Sequence, residues 1–133
     1  MIRKLLLVPI DSICPWDRGH TPETLFEKHH REGIEFCKQL ISEGRLILPI
    51  LVNDFDKDPV KERSGQWFLS TVLGIKVHNF RFQREDGFKR YMAFKELGFR
   101  NILVIYDPYA RKGGQEGQPL IVNERYISKL LGI

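Results

Sequence analysis

The chain passes twice from a helical pattern, through a glycine, into a short and almost wholly apolar run. The first run is LILPILVN, which follows Gly44, and the second is NILVIYD, which follows Gly98. Apolar runs of this length with little polar alternation are typical of strands that are covered on both faces. Helices that alternate with such strands predict an α/β fold (α+β in a small protein) built around one sheet.

The remaining segments complete a single small domain with a mixed sheet flanked by helices. Its core is expected at about residues 3–107, followed by a C-terminal loop and short helix at 108–133. Gly33 leaves open whether one helix or two lie between Thr21 and Ile41. The predicted elements are a strand at 3–10, helical structure from Thr21 to Ile41, a strand at 46–53, a hairpin at 66–85, a helix at 87–97, a strand at 101–107 and a C-terminal helix capped by Asn123.

Length and composition narrow the class of protein. The chain has 133 residues, of which 42% are hydrophobic and 29% charged, as in a globular domain. No apolar run approaches the ~18 residues that span a bilayer, and the segment MIRKLLLVPI is too short for a targeting signal, so we expect a cytoplasmic protein. Cys14 and Cys37 are expected to be free buried thiols. The net charge of +4 favours anionic partners without marking a nucleic-acid binder.

The segment DGFKRYMAFKELGF, residues 86–99, raises an electrostatic question. A helix start carries partial positive charge, yet the predicted helix opens with Lys89 and Arg90. Two cations in this position destabilise the helix by about 0.3–1 kcal/mol each, because the helix dipole repels them. An anion bound between them would be attracted by the dipole and by both cations. The N–H groups after Gly87 would add donors, and a glycine lets a ligand approach the backbone. The pattern therefore predicts a phosphate site.

Two further interpretations stay open for this segment. Asp86 can cap the helix or hold a metal ion that accompanies a polyphosphate. The two basic side chains can instead be solvated, with Arg90 paired to Asp17, Glu85 or Asp86.

A family resemblance supports the phosphate interpretation. The string DGFKRYMAFKELGFRNILVIYD resembles the second motif of the ParB/sulfiredoxin-like superfamily, in which a Gly, two variable residues and an Arg begin a helix. Upstream, LVPIDSI and LISEGRLILPILVND resemble the first strand of the family and its helix–Gly–Pro-Ile–strand segment. The resemblance implies a small α/β fold whose Gly–helix turn binds the phosphates of a nucleotide.

The chain departs from each branch of that superfamily. Sulfiredoxins carry a nucleophilic Cys directly after the Gly, where this chain has Phe88, so their reductase chemistry is not expected. ParB proteins carry a DNA-binding domain after this helix, for which the chain is too short. Free serine kinases show Asp-Gly-x-His-Arg; Asp86, Gly87 and Arg90 match it, and Lys89 replaces the His. Those kinases also need an acidic base from the segment after the first strand, and Glu23 is the candidate for it.

The resemblance implies a nucleotide (ATP, ADP or CTP) with Mg²⁺ as the ligand. Phosphates would contact Gly87, Phe88, Lys89 and Arg90. Arg18 and His20 are further candidate ligands, because they lie in a loop whose counterpart in the family often reaches the nucleotide. One hypothesis is a small Mg²⁺-dependent phosphotransferase or nucleotide hydrolase that uses Asp86. The alternative is a non-catalytic, nucleotide-gated or DNA-associated regulatory module, which would reach nucleic acid through a partner chain.

Other patterns carry weaker signals. His20, His29 and His30 lack the spacing of a metal site, because adjacent residues on a helix point about 100° apart. The string RKGG at 111–114 fits a mobile loop better than a second phosphate or nucleic-acid contact.

Overall fold

The fold is a mixed sheet with helices packed on both faces. A computed structural model of the chain describes residues 3–14, 28–55 and 80–133. In chain order the elements are β1 (Lys4–Pro9), a 3₁₀ turn (Ile10–Ser12), β2 (Ile13–Cys14), α1 (Lys28–Ser42), β3 (Ile50–Asp54), β4 (Phe82–Asp86), α2 (Phe88–Glu96), β5 (Asn101–Tyr106) and α3 (Glu124–Leu131). None of the helices in these ranges combines the length and the apolar character that a membrane-spanning segment needs.

The five strands lie in the order β1-β5-β3-β4-β2. β3 is parallel to β5 and antiparallel to β4, while β1 pairs antiparallel with β5 and β2 pairs parallel with β4. The central strand β3 buries Ile50, Leu51 and Val52 almost completely. Neighbouring side chains of a strand point to opposite faces, so β3 contacts protein on both sides of the sheet.

Each face of the sheet has its own hydrophobic cluster. On one face, Tyr91 of α2 joins a cluster that includes Ile50, Val52 and Val104. On the other face, Ile127 and Leu131 of α3 join a second cluster, whose members from the sheet and its loops are Leu48, Leu51, Ile105, Ala110 and Val122. α2 and α3 therefore cover opposite sides of the central strands.

α1 packs on α2 rather than directly on the central strands. Ile34 and Cys37 of α1 bury themselves with Ala93 of α2. At the edge of this contact Glu96 of α2 accepts hydrogen bonds from two bases of α1, Arg31 and Lys38. The helix pair is thus fixed by a small apolar contact and a charged cluster beside it.

The mixed α/β fold class is confirmed, as are the strands at β1, β3 and β5 and the helix at 87–97. Where α1 is described, it runs unbroken through Gly33 as one helix. The two residues of β2 were expected to be loop; they form a strand by pairing with β4. Asn123 caps α3 as predicted, because its side chain accepts a hydrogen bond from the Tyr126 N–H. Both cysteines are free and buried, as expected.

Two sequence predictions fall on parts of the chain that the structure does not describe. The N-terminal portion of the first helix, with Thr21 as its cap, lies outside the described residues. So does most of the hairpin predicted at 66–85, of which the structure describes only residues 80–85, including most of β4.

The charged cluster between α1 and α2 makes stability depend on pH. The hydrogen bond from Arg31 is the main cause that lowers the pKa of Glu96 below its ordinary value of 4.5. A carboxyl group with a lowered folded-state pKa stabilises the fold above its ordinary value, and this contribution is lost as pH falls through the folded pKa. We expect Glu96→Gln to destabilise the protein at pH 7 and to have a shrinking effect below about pH 4.5. Urea unfolding of the wild type and of Glu96→Gln at a series of pH values measures this difference in unfolding free energy.

The matched control for that measurement is Glu32→Gln, which removes an exposed carboxylate of α1. Among the described residues Glu32 has no ion-pair partner, so we expect its effect to be small at every pH. A Glu96→Gln effect that is the same at pH 3 as at pH 7 would contradict the assignment.

Candidate functional site

The candidate site begins where β4 ends and α2 starts. The register between β3 and β4 shifts between Leu51 and Val52, which places an extra residue in β4 shortly before the turn. Gly87 follows with φ 99° and ψ 33°, a left-handed conformation that favours glycine. A Cβ on Gly87 would lie 2.6 Å from Cγ2 of Ile50, so the turn also needs the missing side chain for space.

The first turn of α2 exposes backbone donors. Gly87 is the N-cap, and no side chain caps the helix. The first helical hydrogen bond runs from the Tyr91 N–H to the Gly87 carbonyl at 2.9 Å. Within the described parts of the chain, the N–H groups of Phe88, Lys89 and Arg90 therefore have no acceptor. They form a set of donors at the positive end of a helix.

The guanidinium of Arg90 is buried and hydrogen-bonded to backbone. Arg90 is only 9% exposed. Its Nη1 donates to the carbonyls of Leu48 (2.6 Å) and Pro49 (3.1 Å), and its Nη2 donates to Oε1 of Gln115 (2.8 Å). Burial lowers the pKa of Arg90, and the charge of Asp86 acts in the opposite direction. Arg90 thus fixes the segment before β3 and the loop after β5 to the start of α2.

Asp86 and Gln115 complete this arrangement. Oδ1 of Asp86 accepts from the Gly87 N–H at 2.8 Å, and Oδ2 accepts from the Gln115 N–H at 3.0 Å. Nε2 of Gln115 donates to the Pro49 carbonyl at 2.8 Å. Asp86 holds the turn but does not cap α2, so the capping interpretation is wrong. Arg90 forms no ion pair with Glu85 or with Asp86, and Asp17 lies outside the described residues.

Lys89 is exposed, and the end of its side chain lies beside α1. Its side chain lies over the backbone of α1 at Gly33, close enough that a Cβ there would be 3.2 Å from Nζ. It forms no ion pair with any residue that the structure describes. The role of Lys89 in binding a phosphate stays a prediction.

A cavity of about 460 Å³ lies between α1 and the Gly87 turn. Among the described residues, its charged lining consists of three bases, Arg84, Lys89 and Arg90, and one carboxylate, Asp86. The other described lining residues are mostly apolar or aromatic: His30, Gly33, Phe36, Cys37, Gly87, Phe88 and Leu120. Within this described lining, positive charge exceeds negative charge around a cavity that is large enough for a small ligand.

The ring of Phe88 contacts two other residues of the cavity lining, His30 and Arg84. Its ring makes an edge-to-face contact with His30, with ring centroids 5.3 Å apart. The guanidinium of Arg84 lies over the same ring at 5.4 Å from the centroid. The side chain of Phe88 therefore packs against His30 and Arg84, and its backbone N–H is the group that could donate to a ligand.

The pKa of Cys37 depends both on the burial of its thiol and on the bases that line the cavity. Burial raises the pKa of Cys37, while the positive charges of Arg90 and Lys89 act in the opposite direction. Both charges belong to α2, across the cavity from the α1 helix that carries the thiol. These two charges favour the thiolate form of Cys37, but burial outweighs them, so the pKa of the thiol is raised overall.

The structure brings together the residues predicted at the turn, namely Asp86, Gly87, Phe88, Lys89 and Arg90. Glu23, Arg18 and His20 lie outside the described residues. Sequence reasoning missed Arg84, Gln115 and Gly33. Arg84 precedes Asp86 by two residues in the same strand, but the extra residue of β4 lies between them and interrupts the alternation of faces, so the spacing gave no signal. Gln115 and Gly33 come from distant segments and offered none.

The loop that contains RKGG lies against the sheet. The Gly113 N–H donates to the Glu85 carbonyl at 3.3 Å, and a Cβ on Gly114 would lie 2.8 Å from Cδ2 of Leu51. Arg111 and Lys112 line a second cavity of about 480 Å³ together with polar residues of β3 and β4. This loop also carries Gln115, so its packing supports the Arg90 arrangement.

Comparison of the chain with protein-family models, with curated proteins and with solved structures finds no match. The geometry of the turn and of its cavity is therefore the basis for assigning a function.

The conformation of Gly87 makes a stability prediction with an internal control. Gly87→Ala places a Cβ in a left-handed conformation, which costs about 1–2 kcal/mol, and adds a clash with Ile50 worth about 1–3 kcal/mol. Gly98→Ala, at the other end of α2, has φ 84° but no atom within 4 Å of the new Cβ. We expect urea unfolding to show a larger loss for Gly87→Ala than for Gly98→Ala. Equal losses would contradict the close packing of the turn.

The buried guanidinium of Arg90 makes a second stability prediction. Arg90→Met keeps an apolar stem but leaves the Leu48 carbonyl and the Gln115 amide oxygen without their donor, at about 1–3 kcal/mol for each group. We expect a loss of roughly 2–5 kcal/mol in unfolding free energy. Arg100→Met, at an exposed arginine after α2, serves as the control. An Arg90→Met variant as stable as that control would show that these hydrogen bonds do not hold the site together.

Proposed function

We propose that the chain binds the phosphates of a nucleotide or of another phosphorylated small molecule at the Gly87–Arg90 turn. The observation that carries this proposal is the set of N–H groups of Phe88, Lys89 and Arg90, which have no acceptor in the described part of the chain and lie at the border of a basic cavity. A phosphate oxygen accepts hydrogen bonds from such donors and is stabilised by the helix dipole. The ParB/sulfiredoxin-like resemblance of the sequence supports the same ligand.

The bases of the site divide their roles. Arg90 already donates hydrogen bonds to Leu48, Pro49 and Gln115. It would therefore contribute positive charge to the site and hold its backbone in place, rather than donate further hydrogen bonds to a ligand. Lys89 has no carboxylate partner among the described residues, so its ammonium is the charge that would contact a phosphate. A test of binding therefore uses Lys89, since a change at Arg90 would alter the fold as well.

The carboxylate of Asp86 could bind a Mg²⁺ ion together with the phosphates of the ligand. Its carboxylate lines the cavity and would repel a phosphate unless a cation lies between them. Magnesium is commonly held by one or two carboxylates together with phosphate oxygens, which fits one carboxylate beside a polyphosphate. No group of three or more His, Cys, Asp or Glu residues in the described ranges could hold a metal ion. The ion would therefore arrive with the ligand.

Calorimetric titration with Mg²⁺ and pyrophosphate, ATP, ADP or CTP tests the proposal. We expect saturable binding that weakens about tenfold in Lys89→Gln, which removes one charge-assisted hydrogen bond. Lys95→Gln removes the same charge near the C-terminal end of α2, outside the cavity, and should leave affinity unchanged. No saturable binding of any probe, or equal loss in both variants, would contradict the proposal.

Whether the site also catalyses a reaction is tested by turnover. Labelled ATP, ADP or CTP is incubated with the protein, Mg²⁺ and a pool of small hydroxyl metabolites. Turnover that is lost in Asp86→Asn would support a phosphotransferase or hydrolase, whereas binding without turnover would support the regulatory module.

A further inference from the structure

Gly33 is an unfavourable residue for its position. It lies in the interior of α1, which runs from Lys28 to Ser42 without a break. A glycine in a helix interior costs about 1 kcal/mol relative to alanine. The helix would therefore be more stable with a side chain there, unless that side chain displaced something the protein uses.

The group that such a side chain would displace is Lys89. A Cβ built on Gly33 would clash with Cδ of Lys89, and it would lie 2.9 Å from Cε and 3.2 Å from Nζ of the same side chain. All three nearest atoms belong to Lys89. The distal half of this lysine thus occupies the space where a residue of α1 would normally carry its side chain.

The position of the ammonium links this contact to the cavity. Gly33 and Lys89 both line the cavity. Cys37, one helical turn after Gly33, also lines it and feels the charge of Lys89. Lys89 is exposed, so its ammonium reaches solvent at the cavity that the residue lines.

We propose that Gly33 is a positioning residue, whose missing side chain lets Lys89 lie across α1 and holds the ammonium at the phosphate-binding cavity. This inference rests on the proposed function for its effect on binding. Its geometric part, the dependence of the Lys89 position on Gly33, does not need a ligand. The two parts are therefore tested separately.

The binding test is a double-mutant cycle with Mg²⁺ and pyrophosphate as the probe. Gly33→Ala should raise Kd about five- to tenfold, close to the effect of Lys89→Ala. In the Lys89→Ala background the same change at Gly33 should leave Kd unaltered, because no side chain remains to displace. Independent, additive effects of the two changes, or an unchanged Kd in Gly33→Ala, would overturn the inference.

The stability of each variant is measured beside its affinity, so that a loss of binding can be told apart from a loss of fold. A clash with the flexible end of a lysine is relieved by rotating that side chain, and alanine strengthens a helix interior, so Gly33→Ala should unfold at the same or a higher urea concentration than the wild type. Ser42→Ala, at the exposed end of α1, is the matched control that should change neither Kd nor the cavity. Lost affinity together with lost stability would overturn the positioning role.

A ligand-free measurement keeps the two proposals apart. NMR titration of ¹³C-labelled cysteine follows Cys37 separately from Cys14. Because Lys89 acts to lower the pKa of Cys37, we expect that pKa to rise in Gly33→Ala and in Lys89→Ala, with no further rise in the double variant. If these shifts occur while the wild type binds no pyrophosphate, the proposed function fails and the positioning of Lys89 stands. If Gly33→Ala leaves the Cys37 pKa unchanged, the inference fails whatever the binding result.

Discussion

The buried guanidinium of Arg90 holds the candidate site together. Through Leu48, Pro49 and Gln115 it joins the entry to β3, the loop after β5 and the start of α2. A guanidinium this deeply buried is stable only when its donors are satisfied, and here backbone carbonyls and the Gln115 amide oxygen accept from it, while the charge of Asp86 acts on it without an ion pair. Its positive charge is therefore retained at the turn, where the dipole of α2 adds to it.

This arrangement changes the electrostatic argument made from the sequence. Two uncompensated cations were expected at the start of α2, but the carbonyl contacts already stabilise one of them. The remaining case for an anion depends on Lys89 and on the unpaired backbone donors beside it. Arg90 and Lys89 are adjacent in sequence yet differ in role, because one faces the sheet and the other faces α1.

Local features of the sequence predicted most of the fold that the structure describes. Gly87 and Gly98 bound α2 as expected, because helix ends are encoded by the residues that form them. Arg90 lies one helical turn before Ala93 and Phe94, so the helical period alone puts it on the apolar side of α2. The partners of Arg90 were not predictable, since they lie 25 to 42 residues away in the chain. The contact of Lys89 with Gly33 depends on how α1 packs on α2, which no local pattern encodes.

The central claim is that backbone donors at the start of α2 bind a phosphate. Its most direct test is a titration of ¹⁵N-labelled protein with pyrophosphate and Mg²⁺, followed through the amide resonances. The account predicts that the largest shifts fall on the N–H groups of Phe88, Lys89 and Arg90, with saturation at one ligand per chain. Shifts that leave these three amides unchanged, or that spread over basic surfaces without saturating, would contradict it.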